Sequence, residues 1–91
     1  MTEAELKDEV LRIAYKNGWS VHHSPARWQR NGGGSGYPDL TCARDGEVVW
    51  LELKQQDGKL SHEQTVWQQA LPFYHVIRPS DLQGRVLELL G

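Results

Sequence analysis

An α/β domain, a mixed sheet flanked by helices in the order α-β-β-β-α-β-α, is predicted by three features of the sequence. Apolar residues recur at helical spacing near its start. Two β-rich runs are separated by Asp45-Gly46, and Ser61 with Gln64 forms a helix-opening signature soon after the second run.

Glu3 to Asn17 reads as the first helix, with Leu6, Val10, Ile13 and Ala14 on one face, Thr2 able to cap its start and Gly18 at the C′ position. Trp19 to His23 reads as a short strand. The stretch RNGGGSGYP, residues 30 to 38, separates this part from the next; without a following Gly-Lys-Ser/Thr it is not a nucleotide-binding loop. Leu40 to Arg44 and Val48 to Lys54 are the hairpin strands, because Asp-Gly favours a tight two-residue turn. Gln55 to Leu60 turns the chain away from the sheet, and Ser61 opens a helix running to about Pro72, with Trp67 and Leu71 on its buried face. Phe73 to Arg78 has strand character. Ser80 or Asp81 then caps a last short helix carrying Leu82, Val86, Leu87 and Leu90, which Gly84 weakens.

The 91 residues suit one domain, residues 1–91, with a thin core that association between copies would help to cover. An apolar share of 38% and a charged share of 24% are those of a globular chain and not of a disordered one. No apolar run approaches the roughly 20 residues that cross a bilayer, and MTEAELKDEV has neither a basic leader nor an apolar signal core. A cytoplasmic location is expected. Cys42 has no second cysteine to pair with and reads as a buried strand thiol. The net charge of −2 counts against coating nucleic acid by bulk electrostatics, although Arg27, Arg30, Lys54, Lys59 and Arg78 could gather on one side.

If the turn is centred between Asp45 and Gly46, Arg44 faces Glu47 and, further down the ladder, Asp39 faces Glu52. Opposed residues share a face with Cβ atoms about 4.5–5.5 Å apart, and alternation adds Lys54 to that face while Val49, Leu51 and Leu53 take the other. Two carboxylates so close repel each other unless a cation lies between them, and hard oxygen donors suit Mg²⁺ or Mn²⁺. A cation held there beside the Lys54 ammonium fits phosphodiester hydrolysis. Taken alone, Asp39, Glu52 and Lys54 could equally be a strand start and a surface stripe.

The ordered set Gly36-Tyr37-Pro38-Asp39-Leu40, Glu52-Leu53-Lys54, then Gly58-Lys59-Leu60-Ser61 with Gln64, resembles the VRR-NUC family of the PD-(D/E)XK nuclease superfamily across roughly residues 3 to 80. That resemblance implies a restriction-endonuclease-like PD-(D/E)XK core. It implies Asp39, Glu52 and the Leu53 carbonyl as metal ligands, Lys54 as the catalytic lysine and Gln64 as a phosphate or active-site contact. It also implies a first-helix glutamate near the metal, with Glu5 the best fit and Glu9, one turn later, still open. The family's V-R-R signature is not visible as such; Val76-Ile77-Arg78 occupies the comparable late strand.

The function implied is a Mg²⁺- or Mn²⁺-dependent endodeoxyribonuclease acting as a homodimer on branched DNA, like a Holliday-junction resolvase, in a bacterial or phage-infected cell. The alternatives are a nuclease on flaps, single strands or duplex ends, and a DNA-binding module without activity. DNA contacts are expected from Arg27, Arg30 and Ser35 around the glycine loop, from Lys59, and from Arg78, which could instead cap a sheet edge. Trp28 reads as packing rather than base stacking. His22 and His23 face opposite ways on a strand, His62 and His75 read as surface or packing residues, and no cluster has zinc-like spacing.

Overall fold

The computed structural model describes residues 1–25 and 36–91, and Arg27, Trp28, Arg30 and Ser35 lie outside the described residues. The chain forms α1 (Glu3–Lys16), β1 (Ser20–His23), β2 (Leu40–Arg44), β3 (Glu47–Leu53), α2 (His62–Ala70), β4 (Tyr74–Ile77) and α3 (Arg85–Leu90). The four strands make one mixed sheet in the order β1-β2-β3-β4, antiparallel except for the parallel β3/β4 pair that α2 connects. The protein is therefore an α/β domain with a four-stranded mixed sheet flanked by helices.

The hairpin register is the one the Asp45-Gly46 turn dictates: Arg44 pairs with Glu47 and Leu40 with Leu51. Both turn residues have positive φ, 51° at Asp45 and 81° at Gly46, the backbone that matches the strands' twist. Alternation then sends Val49, Leu51 and Leu53 to one face, where they meet Leu6, Val10, Ile13 and Ala14 of α1 and Val86 and Leu90 of α3 in a single core. Trp19 joins it, donating from Nε1 to the Leu90 carbonyl at 2.9 Å and so tying the end of α3 to the rest. Cys42 is buried in the same core, as its strand position suggests.

α2 covers the other face more lightly. None of its residues is fully buried, and Trp67 and Leu71 are half-buried. Tyr37 links it to the sheet, standing edge-on to Trp67 with ring centroids 4.9 Å apart and accepting from Trp50 Nε1 at 3.0 Å.

The last helix departs from its expected start. Pro79–Asp81 forms a 3-10 turn, with Asp81 Oδ2 accepting from the Arg78 N–H at 2.8 Å, and regular helix begins only at Arg85. Gly84 is the N-cap of α3, with φ −138° and ψ −85°, so the glycine does not merely weaken one helix but divides the segment. Among the described residues no helix is long and apolar enough to cross a membrane.

Candidate active site

The carboxylate pair sits where the β2/β3 ladder stops. Continuing the Leu40–Leu51 register by one residue sets Asp39 beside Glu52. Backbone pairing ends there because Pro38 has no N–H and its carbonyl is taken by the Ser24 hydroxyl. The Leu53 N–H, left without a ladder partner, donates to Asp39 Oδ2 at 2.8 Å. That bond turns the Asp39 side chain toward β3.

Glu52 is 3% exposed, the one buried charged side chain among the described residues. Its Oε2 accepts from Gln64 Nε2 at 3.1 Å, and its Oε1 is buried with no hydrogen-bond partner. Burial first, then the Asp39 charge and a hydrogen bond toward the Asp39 carboxyl, push its pKa up to about 9; Lys54 acts in the opposite direction and Glu3 adds to the rise. The two observations fit together. As an acid, Glu52 can donate toward Asp39; as an anion, it would leave Oε1 buried with no partner from the protein, a position that a cation or an ordered water could meet.

A divalent cation fits that requirement. Among the described residues, no three His, Cys, Asp or Glu side chains gather in a metal-holding group, so Asp39 and Glu52 would supply the side-chain ligands alone. The remaining positions would fall to water, backbone or substrate oxygens, which is the habit of Mg²⁺ or Mn²⁺ and not of a closed zinc site. Leu53, the expected backbone ligand, borders the pair through its peptide.

Gln64 serves two structures at once. Ser61 and Gln64 make the full capping box: the Ser61 N–H donates to Gln64 Oε1 at 2.8 Å and the Gln64 N–H to Ser61 Oγ at 3.2 Å. With its oxygen held by the cap, the amide can aim only its NH₂ at Glu52. The cap thus orients the site contact. Gly36 brings this turn close, since a Cβ there would lie 2.6 Å from Glu63 backbone and side-chain carbons and 2.7 Å from the Gln64 nitrogen. The first residue of the Gly-x-Pro-Asp stretch is thereby explained by packing. Lys54, half-buried just past β3, donates its N–H to the Ile77 carbonyl at 3.0 Å and runs its stem past Gly58.

Not every expected residue joins this group. Glu5 is exposed and completes the capping box of α1, accepting from the Thr2 N–H at 2.8 Å while its own N–H donates to Thr2 Oγ1 at 3.1 Å. Its pKa is lowered by these bonds. Thr2-x-x-Glu5 is itself a capping-box pattern, so that signal was present beside the reading of Glu5 as a metal ligand. Glu9 pairs with Arg12 at 2.9 Å. The first-helix carboxylate whose charge reaches Glu52 is Glu3. With its amide oriented to meet complementary groups, Gln55 ties that end of α1 to β3, accepting from the Glu3 N–H and donating to the Met1 carbonyl at 3.1 Å each.

Lys59 is exposed. Arg78 instead clamps the turn after β3: its Nη1 donates to the carbonyls of Gln55 at 2.8 Å, Gln56 at 3.3 Å and Gly58 at 2.6 Å. Arg78→Ala is expected to cost about 1–2 kcal/mol of stability, measured by urea denaturation, because three carbonyls lose their donor. His75 on β4 lies 2.9 Å from Arg85 through Nδ1, and its pKa is lowered by burial and then by Arg85, which suits a packing role.

Sequence reasoning passed over Thr41 and Tyr74. Both carry buried oxygens without hydrogen-bond partners, and they flank Trp50 on β2 and β4, on the face of the sheet that bears Glu52. The Tyr74 phenol has its pKa raised by burial, then by Glu52 and Asp39. Its place depends on the parallel β3/β4 register, for which a single sequence offers no local turn signal. Compared with protein-family models, with curated proteins and with solved structures, the chain shows no significant match.

Proposed function

We propose that this chain is a Mg²⁺- or Mn²⁺-dependent nuclease with a PD-(D/E)XK core of the VRR-NUC type, cutting DNA phosphodiesters, with branched DNA the preferred substrate and a homodimer the working form. The observation that carries the reading is Glu52: a carboxylate 3% exposed, with one bare oxygen, beside a second carboxylate at the end of a strand. A buried acid in that state is costly to stability and calls for a compensating ligand.

Asp39 and Glu52 would hold the cation. When bound there, the ion would polarise a phosphoryl oxygen, neutralise developing charge and ease deprotonation of water. The chain's own groups do the rest. The Leu53 N–H fixes the Asp39 carboxylate, and the capped Gln64 amide fixes Glu52 while keeping a second N–H for a phosphate oxygen. Lys54, whose charge is felt at Glu52, would stabilise the attacking oxygen or the crowded phosphorus. Lys59, together with Arg27, Arg30 and Ser35 of the glycine loop, would carry phosphate contacts; the Arg78 clamp makes that residue the weakest of the proposed DNA contacts.

The test is cleavage of labelled four-way junction, flap and linear duplex DNA with Mg²⁺, Mn²⁺ or EDTA. Wild type is expected to cut in metal only, and Glu52→Ala and Lys54→Ala to cut no faster than buffer. Folded wild type that cuts none of the substrates in either metal would sink the nuclease reading and favour a DNA-binding module. Light scattering that reports a monomer at micromolar concentration would remove the homodimer.

A further inference from the structure

Among the described residues, three buried side-chain oxygens have no hydrogen-bond partner: Thr41 Oγ1, Glu52 Oε1 and Tyr74 Oη. Such atoms are few in native proteins, and each costs stability unless a ligand or ordered water meets it. These three are not scattered. Thr41 pairs with Trp50 and Trp50 with Tyr74, so they form one row across β2, β3 and β4, and Glu52 lies two residues along β3 on the same face. Tyr74 is the member with the reach to cover that step, and both Glu52 and Asp39 act electrostatically on its phenol. Gln64 occupies Glu52 Oε2, and Oε1 has no partner from the protein.

We propose that Tyr74 is a further positioning residue of this site, its hydroxyl donating a hydrogen bond to a water oxygen held against Glu52 when a divalent cation occupies the carboxylate pair. The inference rests on the reading that Asp39 and Glu52 take such a cation. A phenol O–H has one donor, and no acceptor of the protein meets it. A water bound at the pair supplies the missing acceptor. Tyr74 then fixes where that oxygen sits, as partners behind metal ligands do in other sites. The hydroxyl is thus a burden on the empty fold and an asset to the loaded one.

The experiment compares wild type with Tyr74→Phe, which keeps the ring and removes only the hydroxyl. Isothermal titration with Mn²⁺ alone is expected to show binding about 10- to 100-fold weaker in the variant. The melting temperature in EDTA is expected to be unchanged or higher, because the lost oxygen had no partner. Equal Mn²⁺ affinity in the two proteins would overturn the inference and leave the metal site standing. A lower melting temperature in EDTA would also overturn it, since the hydroxyl would then already be satisfied in the metal-free protein. Wild type that binds no Mn²⁺ would overturn the inference together with the metal reading. Neither readout uses DNA, so the nuclease activity is judged separately.

Discussion

Metal-free protein is expected to lose up to about 4 kcal/mol of stability between pH 5 and pH 8, and Glu52→Gln to remove most of that loss. The folded state holds the Glu52 carboxyl at a pKa of about 9 against a model value of 4.5. Between those values the folded chain keeps a proton that the unfolded chain releases, so stability falls as pH rises through the window. Glu52 therefore stabilises fully below about pH 4.5 and its contribution is gone above about pH 9. Each pH unit inside the window is worth at most about 1.4 kcal/mol. His23 and His75, whose pKa values are lowered, slope the other way near their ordinary range, which is why the variant is the proper reference. Urea denaturation at several pH values in EDTA measures the slope. On the proposed reading a divalent cation would bind the ionised pair, so Mn²⁺ should restore stability at pH 8 and add little at pH 5. A flat profile for wild type would mean that Glu52 is ionised and compensated without metal.

Much of this site was legible because its position follows from turn chemistry. Asp45-Gly46 fixes a two-residue hairpin, the hairpin fixes the register, and the register sets Asp39 beside Glu52 with the aliphatic residues of β3 on the opposite face. Capping patterns were equally local, which is why α1 and α2 begin where Thr2 and Ser61 suggest. The same locality offered two readings at Glu5, and in the structure that carboxylate closes the capping box with Thr2. Locality misled at the last helix, where Gly84 starts a new segment. What local pattern could not reveal depends on contacts distant in sequence. Tyr74 reaches the site through a parallel pairing, Arg78 folds back on the 55–58 turn, and the need for Gly36 appears only when α2 is docked against it. Gln64 shows why one motif supported two readings: the cap and the site contact use opposite ends of one amide.

Gly36→Ala is expected to cost about 3 kcal/mol or more, and to loosen the site as well as the fold. Two penalties combine at this position. The backbone has φ +78°, where a side chain costs about 1–3 kcal/mol. The added Cβ would also lie 2.6 Å from the Glu63 backbone carbon and 2.7 Å from the Gln64 nitrogen, which are parts of a capped helix turn and cannot swing aside. Relief requires α2 to back away, taking the Gln64 amide off Glu52. Gly46→Ala is the control, because Gly46 has a similar φ of +81° but nothing within 4 Å of the new carbon. Its cost should be the backbone penalty alone. The difference between the two variants in urea denaturation therefore isolates the packing of α2 on the Gly-x-Pro-Asp turn, and should exceed about 1 kcal/mol. Equal losses would mean that α2 yields freely, and that Gln64 is held at Glu52 by its own cap without support from Gly36.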